Sequence, residues 1–150
     1  MAQSLSKILL HLVFSTKNRE PWISPEVRPA LHAYLAGTVR NLNAEAYRVG
    51  GVADHVHIAC TLPRTMPVSK LLEEIKKSSS MWIKQQAPTC RGFAWQAGHG
   101  AFSLGQSQLD ARIAYNDGQE EHHRKRTFKE EFAEFLQRYG VDYDERYVWD

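Results

Sequence analysis

Apolar positions along the chain either alternate or recur every three to four residues, and this divides it into short strands and longer helices. Residues 7–16 are apolar and rich in β-formers. Lys17-Asn-Arg-Glu-Pro21 then breaks the run with charge and a proline, as a strand leaving a sheet does. Ser24-Pro25-Glu26 reads as an N-cap with proline in the first turn, and Val27, Leu31, Tyr34, Leu35 and Val39 follow near helical spacing, which predicts a helix to about Asn41. Ala44 to Val52 and His55 to Leu62 are strand-like runs divided by Gly50-Gly51 and Asp54, as in an antiparallel pair. Val68, Leu71, Leu72, Ile75, Met81, Trp82 and Ile83 mark a second helix from Val68 to Gln86, set between Pro67 and Pro88.

Phe93-Ala-Trp95 and Gly100 to Leu104 predict a last strand or hairpin, after which the pattern turns helical. Ser107 caps a helix expected to run from Gln108 toward Arg126, but Asn116-Asp-Gly118 sets three poor helix formers inside it, a cost of ~1.5–2.5 kcal/mol against alanine. Thr127 with Glu130 forms a capping box before Phe132, Phe135 and Leu136, predicting a final helix that ends at Gly140. The expected order is β-α-β-β-α-β followed by helices. This is the ferredoxin-like, split βαβ plan of an α+β fold, an antiparallel sheet with helices on one face. A chain of 150 residues suits a single domain over 1–150.

Composition narrows the class only slightly. Its longest apolar runs, such as Ile8 to Phe14, are too short to span a bilayer, and no basic, apolar and small-residue leader opens the sequence; the expectation is a cytoplasmic protein without a membrane partner. Cys60 and Cys90 lack the spacing of a thiol metal site and read as two reduced thiols. The net charge of +2 is unevenly spread: Thr127 to Asp150 carries −4, so the part that precedes it carries +6, which is compatible with phosphate binding and equally with a lopsided solvated surface.

Candidate chemistry changes the picture more. In His55-Val56-His57 the two imidazoles lie two apart on a strand, so they share a face and can share an ion, while Val56 points into the core. Taken alone, the pair is weak evidence and fits two sheet histidines making ordinary hydrogen bonds better. Tyr115 and Gln119 are four apart, neighbours on one helical face that His122 continues. Together these residues make sense as a phosphodiester-transfer site. A phenol with a pKa near ~10 is a weak nucleophile at neutral pH and needs an activated electrophile and help with developing negative charge. A divalent cation held by His55, His57 and the Gln119 amide oxygen, with positions left open, would supply both. A phosphotyrosine product keeps an activated phosphodiester that a 3′ hydroxyl can later attack, so covalent attack suits rejoining better than degradation.

At this point the chain resembles a known family, the insertion-sequence-200-like single-tyrosine transposases of the HUH endonuclease superfamily. His11 to Glu20 resembles the family's first strand and loop, and Asp54-His-Val-His-Ile58 its HUH motif. Trp95-Gln96, Gly98 to Ser103 and Gln119-Glu-Glu-His-His123 resemble the segments around its catalytic helix. The family more often has an aromatic at His99, and it reads tyrosine, apolar, variable, asparagine, glutamine where this chain has Tyr115-Asn-Asp-Gly-Gln119. The resemblance implies Tyr115 as nucleophile, His55, His57 and Gln119 as metal ligands, magnesium or manganese as the metal, and single-stranded DNA with hairpin ends as substrate. It also implies a homodimer in which one subunit's tyrosine helix can complete the other's histidine site, in a prokaryotic cell. Lys17, Arg19, Lys76 and Lys77 could neutralise phosphates and Trp22, Trp82 and Trp95 could stack bases, though solvated charges and core aromatics read the same way.

Three alternatives remain open at this level. One is a replication- or transfer-type HUH nicking nuclease. Another is a non-catalytic nucleic-acid-binding ferredoxin-like module, which would stack bases on aromatics exposed on its central strands. The third is a ferredoxin-like oligomerisation domain with no site at all, which fold alone never excludes.

Overall fold

In the computed structural model, the described residues are 2–119, 121 and 126–150. Four strands, β1 (Leu9–Ser15), β2 (Ala46–Val52), β3 (His55–Thr61) and β4 (Gly100–Leu104), form one antiparallel sheet in the order β2-β3-β1-β4. Helices α1 (Arg28–Asn41) and α2 (Val68–Gln86) separate β1 from β2 and β3 from β4. Helices α3 (Leu109–Asp117) and α4 (Phe128–Arg138) follow. The strand inserted between β1 and β2 is β3, which is the split βαβ arrangement expected from the hydrophobic pattern.

The alternation of side chains across the sheet sorts the central strands into two cores. Leu10, Leu12 and Phe14 of β1 and Val56, Ile58 and Cys60 of β3 pack under α1 and α2, against Leu31, Leu35, Leu71 and Ile75. Val56 thus points into the core, as predicted. The opposite face presents Val13 and Phe102 to Phe128, Phe132 and Phe135 of α4. Every residue of β1 is buried, because helices cover the sheet on both sides rather than on one. Both cysteines are buried and free, and burial pushes the Cys60 thiol up to about 12.

Three boundaries differ from the sequence reading, each for a local reason. The first helix begins at Arg28 rather than at Pro25: Ser24 to Val27 form a turn in which the Val27 amide donates to Ser24 Oγ (3.4 Å), and Pro29 occupies the first helical turn. The segment Phe93–Trp95 forms no strand. Its only sheet-like pairing is an isolated bridge from Trp95 to Thr16, because Phe93 and Trp95 are held edge-on to one another as core side chains. The helix expected through Arg126 breaks after Asp117, where the Gly118 amide donates to Ala114 and Tyr115 carbonyls, as the three poor helix formers foretold, and Gln119 and Glu121 are helical again beyond the break.

The last helix matches expectation. The Thr127 hydroxyl accepts from the Glu130 amide at 3.2 Å, and Gly140 (φ 65°) ends α4 with Gly140 and Val141 amides donating to Gln137 and Leu136 carbonyls. Beyond it, Trp149 packs on Phe132, and Arg19 and the Gly98 amide hold the carbonyls of Trp149 (3.1 Å) and Asp150 (2.7 Å). These contacts tie α4 onto the sheet.

Gly50 of β2 sets how closely α3 approaches. A Cβ there would lie 2.2 Å from the Asn116 carbonyl oxygen. Gly50→Ala is therefore expected to push α3 from the sheet and destabilise the protein by about 1–3 kcal/mol, read as a lower midpoint in urea.

Candidate active site

The register of β1 and β3 builds the floor of the site. His57 lies opposite Val13 and His55 opposite Ser15, and both imidazoles face α3 and α4 with no solvent exposure. The Nδ1 of His55 lies 2.7 Å from Asp54 Oδ1, and the Nδ1 of His57 lies 2.8 Å from His11 Nε2. Each histidine is thus held through Nδ1, which leaves Nε2 facing the centre. This is the second-contact arrangement that orients metal-binding histidines. Burial, then the proximity of His57 and Arg112, holds His11 well below the usual histidine range, so its neutral ring can accept from His57.

Gln119 and Glu131 close the site from above. His55 Nε2 lies 3.0 Å from Gln119 Oε1, and the amide nitrogen of Gln119 reaches back to the Tyr115 carbonyl at 3.4 Å. Glu131 Oε1 lies 2.8 Å from His57 Nε2 and 3.6 Å from His55 Nε2. The Tyr115 hydroxyl donates to the other oxygen of the same carboxylate. The Tyr115 ring stands edge-on to His57 at 5.6 Å, and the Arg112 guanidinium lies over it at 5.2 Å. Burial first, and then the hydrogen bond to Glu131 and its charge, push the phenol pKa up, so Tyr115 is protonated at rest.

All four residues singled out in the sequence, His55, His57, Tyr115 and Gln119, therefore meet, and they meet within one chain. Glu131 was not foreseen. Its signal was present, since a carboxylate at position 131 falls on the buried stripe of α4 among Phe128, Phe132 and Phe135, where an acidic side chain needs a partner. His11 likewise shares the β1 face of Val13. His122 and His123 lie outside the described residues. Other suggested contacts take structural roles: Trp95 donates to Ser79 Oγ (2.9 Å) inside the core, and Trp82 stacks on Tyr34. Lys76 donates to the Gln96 and Gly98 carbonyls (3.0 and 2.6 Å), and burial lowers its pKa to about 8.

The donor set fits a divalent cation. His55, His57 and Glu131 offer ligand atoms within 4.8 Å of one another, and Gln119 Oε1 adds a neutral oxygen beside them. Two imidazoles with a carboxylate and an amide oxygen accept manganese or magnesium, and also zinc, nickel or cobalt.

The family description "Transposase IS200 like" matches residues 4–119, a span that includes both histidines, Tyr115 and Gln119. The chain belongs to the IS200-like transposase family. Among solved structures, it is similar to a candidate transposase from Deinococcus radiodurans R1, at 17% identity and a TM-score of 0.62, over 78% of this chain and 96% of that one. It is also similar to a REP-associated tyrosine transposase bound to a REP hairpin, at 15% identity and a TM-score of 0.53, over 77% of this chain and 70% of that one. At these identities the likeness is one of fold. Comparison with curated proteins finds no match. Among the described residues no helix is long and apolar enough to cross a membrane.

Beside the site, His32 of α1 is half-buried, and burial followed by the charge of Arg28 lowers its pKa to about 4. As pH falls below the ordinary histidine value, the unfolded chain takes up this proton first, so stability is lost between about 6.5 and 4. On this account the protein is expected to be roughly 1–2 kcal/mol less stable at pH 5 than at pH 7, a difference that His32→Gln should remove in paired urea titrations.

Proposed function

We propose that this transposase-family protein cuts and rejoins single-stranded DNA at the ends of a mobile element through a 5′-phosphotyrosine linkage on Tyr115. The observation that carries the reading is the convergence of the Tyr115 phenol, His55 and His57 Nε2, Gln119 Oε1 and the Glu131 carboxylate on one point. His55, His57 and Gln119, with Glu131 beside them, would hold magnesium or manganese. Bound there, the cation would polarise a phosphate oxygen and offset charge on the leaving oxygen.

Tyr115 supplies the nucleophile. A bond forms between its oxygen and phosphorus as the bond from phosphorus to the 3′ oxygen breaks, and the phenol proton passes through solvent or a neighbouring carboxylate to the released 3′ hydroxyl. Rejoining is the same step reversed. Asp54 and His11 keep the two imidazoles turned Nε2-inward through both directions. Since His55 and His57 have no solvent exposure under α4, the strand reaches them only when Phe128, Phe135 and Glu131 give way. The same cover argues against the binding-module reading, because the histidine face of the sheet offers no open aromatic platform for stacking bases. A replication- or transfer-type nuclease shares this chemistry, and the match to the transposase family favours transposition over it.

The test incubates the protein with labelled single-stranded hairpin DNA, with and without magnesium or manganese. A metal-dependent adduct that survives denaturation is expected; binding without an adduct would leave only a binding module. A homodimer belongs to the proposal, as does cytoplasmic action. Because Tyr115 meets the histidines of its own chain, mixing His57→Ala and Tyr115→Phe subunits is expected to restore no adduct; restored adduct would mean that the tyrosine helix is exchanged between subunits.

A further inference from the structure

A cavity of about 420 Å³ opens beside Gln119, between α1, β2 and the end of α3. Arg28, His32, Val49, Gly50, Asn116 and Gln119 line it. Asn116 is 1% exposed, yet among the described residues neither its side-chain nitrogen nor its oxygen has a hydrogen-bond partner, and His32 Nε2 is likewise buried without one. Buried polar atoms are almost always paired, so a buried amide with both ends unsatisfied in the wall of a cavity points to a ligand. Asn116 directly follows Tyr115 in the chain. Gly50, which has no side chain to block the approach, holds that residue against the sheet.

We infer that this cavity receives the adenine base of the nucleotide adjoining the scissile phosphate, read by the side-chain amide of Asn116. The inference rests on the single-stranded DNA reading of the neighbouring site. A phosphate would not serve even with Arg28 in the lining: it only accepts hydrogen bonds, so it would leave Asn116 Oδ1 unpaired. A base edge offers an acceptor and a donor side by side. Adenine N7 and N6 match the amide of an asparagine bidentately, and a carboxylate nearby accepts from the remaining amino hydrogen. His32, held neutral near pH 7, presents Nε2 as donor or acceptor to the same ring. Gln119 lines this cavity and its Oε1 lies 3.0 Å from His55 Nε2, so a base seated here lies next to the phosphate that Tyr115 would attack.

The experiment recovers and sequences strands from a fully randomised single-stranded DNA library that bind, or become attached to, the wild type, Asn116→Leu and Asn116→Asp in manganese. Leucine has the shape of asparagine without its polar atoms, so its melting temperature is expected at or above that of the wild type. The wild type should favour adenine at one position beside the attachment point by about five- to 150-fold. Asn116→Leu should flatten that position alone and keep the rest of the selected motif, and Asn116→Asp should move the preference toward cytosine, whose amino group a carboxylate accepts. Identical motifs in all three proteins, or no base preference beside the attachment point, would overturn the inference while leaving the transposase reading intact. Failure of any strand to enrich would sink both.

Discussion

Tyr115→Phe is expected to abolish the covalent protein–DNA adduct, lowering strand cleavage by on the order of 10⁴-fold or more, the scale on which removing a nucleophile acts elsewhere. The loss should change metal binding far less than cleavage, because the phenol meets the donor set through Glu131 Oε2 and the Gln119 side chain, while Oε1 of that carboxylate and Gln119 Oε1 face the histidines. Phenylalanine keeps the ring contacts with His57 and Phe135 and the guanidinium of Arg112 above it, so the helix should hold its place. The deleted hydroxyl leaves one buried carboxylate oxygen short of a donor, a cost of about 1–3 kcal/mol in stability. Gel analysis of denatured reactions reads the adduct, and calorimetric titration with manganese reads the metal. A variant that still forms the adduct would remove Tyr115 from the chemistry.

Much of this geometry was legible in the residues, and the parts that were not share a cause. Strand alternation alone places His55 and His57 on one face and Val56 on the other, a local rule of fixed period that the structure follows, whereas Gln119 ends beside Tyr115 across the break that closes α3 rather than on one continuous helix. The break at Asn116-Asp-Gly118 follows from propensity in the same way. Long-range pairings were different. Nothing local says that Glu131, 74 positions from His57, swings onto its imidazole, or that His11 supports that ring from the next strand. The strand expected at Phe93–Trp95 failed for a related reason: its aromatic residues suit a strand, but tertiary packing against Phe14 and Ser79 claims their side chains and leaves the backbone irregular. The covering of the histidine face by α4 follows from the capping box and apolar stripe only once the sheet is known to offer Val13 and Phe102 as its counterpart.

Glu131→Ala should separate the two parts that carboxylate plays, as ligand beside the histidines and as anchor of α4. Without metal, the substitution leaves His57 Nε2 and the Tyr115 hydroxyl without their buried acceptor, and the protein is expected to lose about 1–3 kcal/mol. With metal, the wild type should gain stability in proportion to the logarithm of metal concentration over its dissociation constant, because an ion that binds only the folded chain pulls the equilibrium toward it. If Glu131 is a ligand, the alanine variant should show affinity for manganese weaker by roughly tenfold or more, and its melting temperature should rise less on adding the ion. Should affinity instead stay level or increase while single-stranded DNA binds more tightly, the carboxylate would act only as cover, occupying the place of the scissile phosphate until the strand displaces it. Glu131→Gln sharpens the distinction, since it keeps an oxygen that can accept from the phenol but surrenders the negative charge. A ligand role predicts that glutamine, with a neutral amide oxygen in place of the carboxylate, binds metal more weakly than the wild type but better than alanine, and behaves like the wild type toward folding. A purely anchoring role predicts that glutamine is close to the wild type in both.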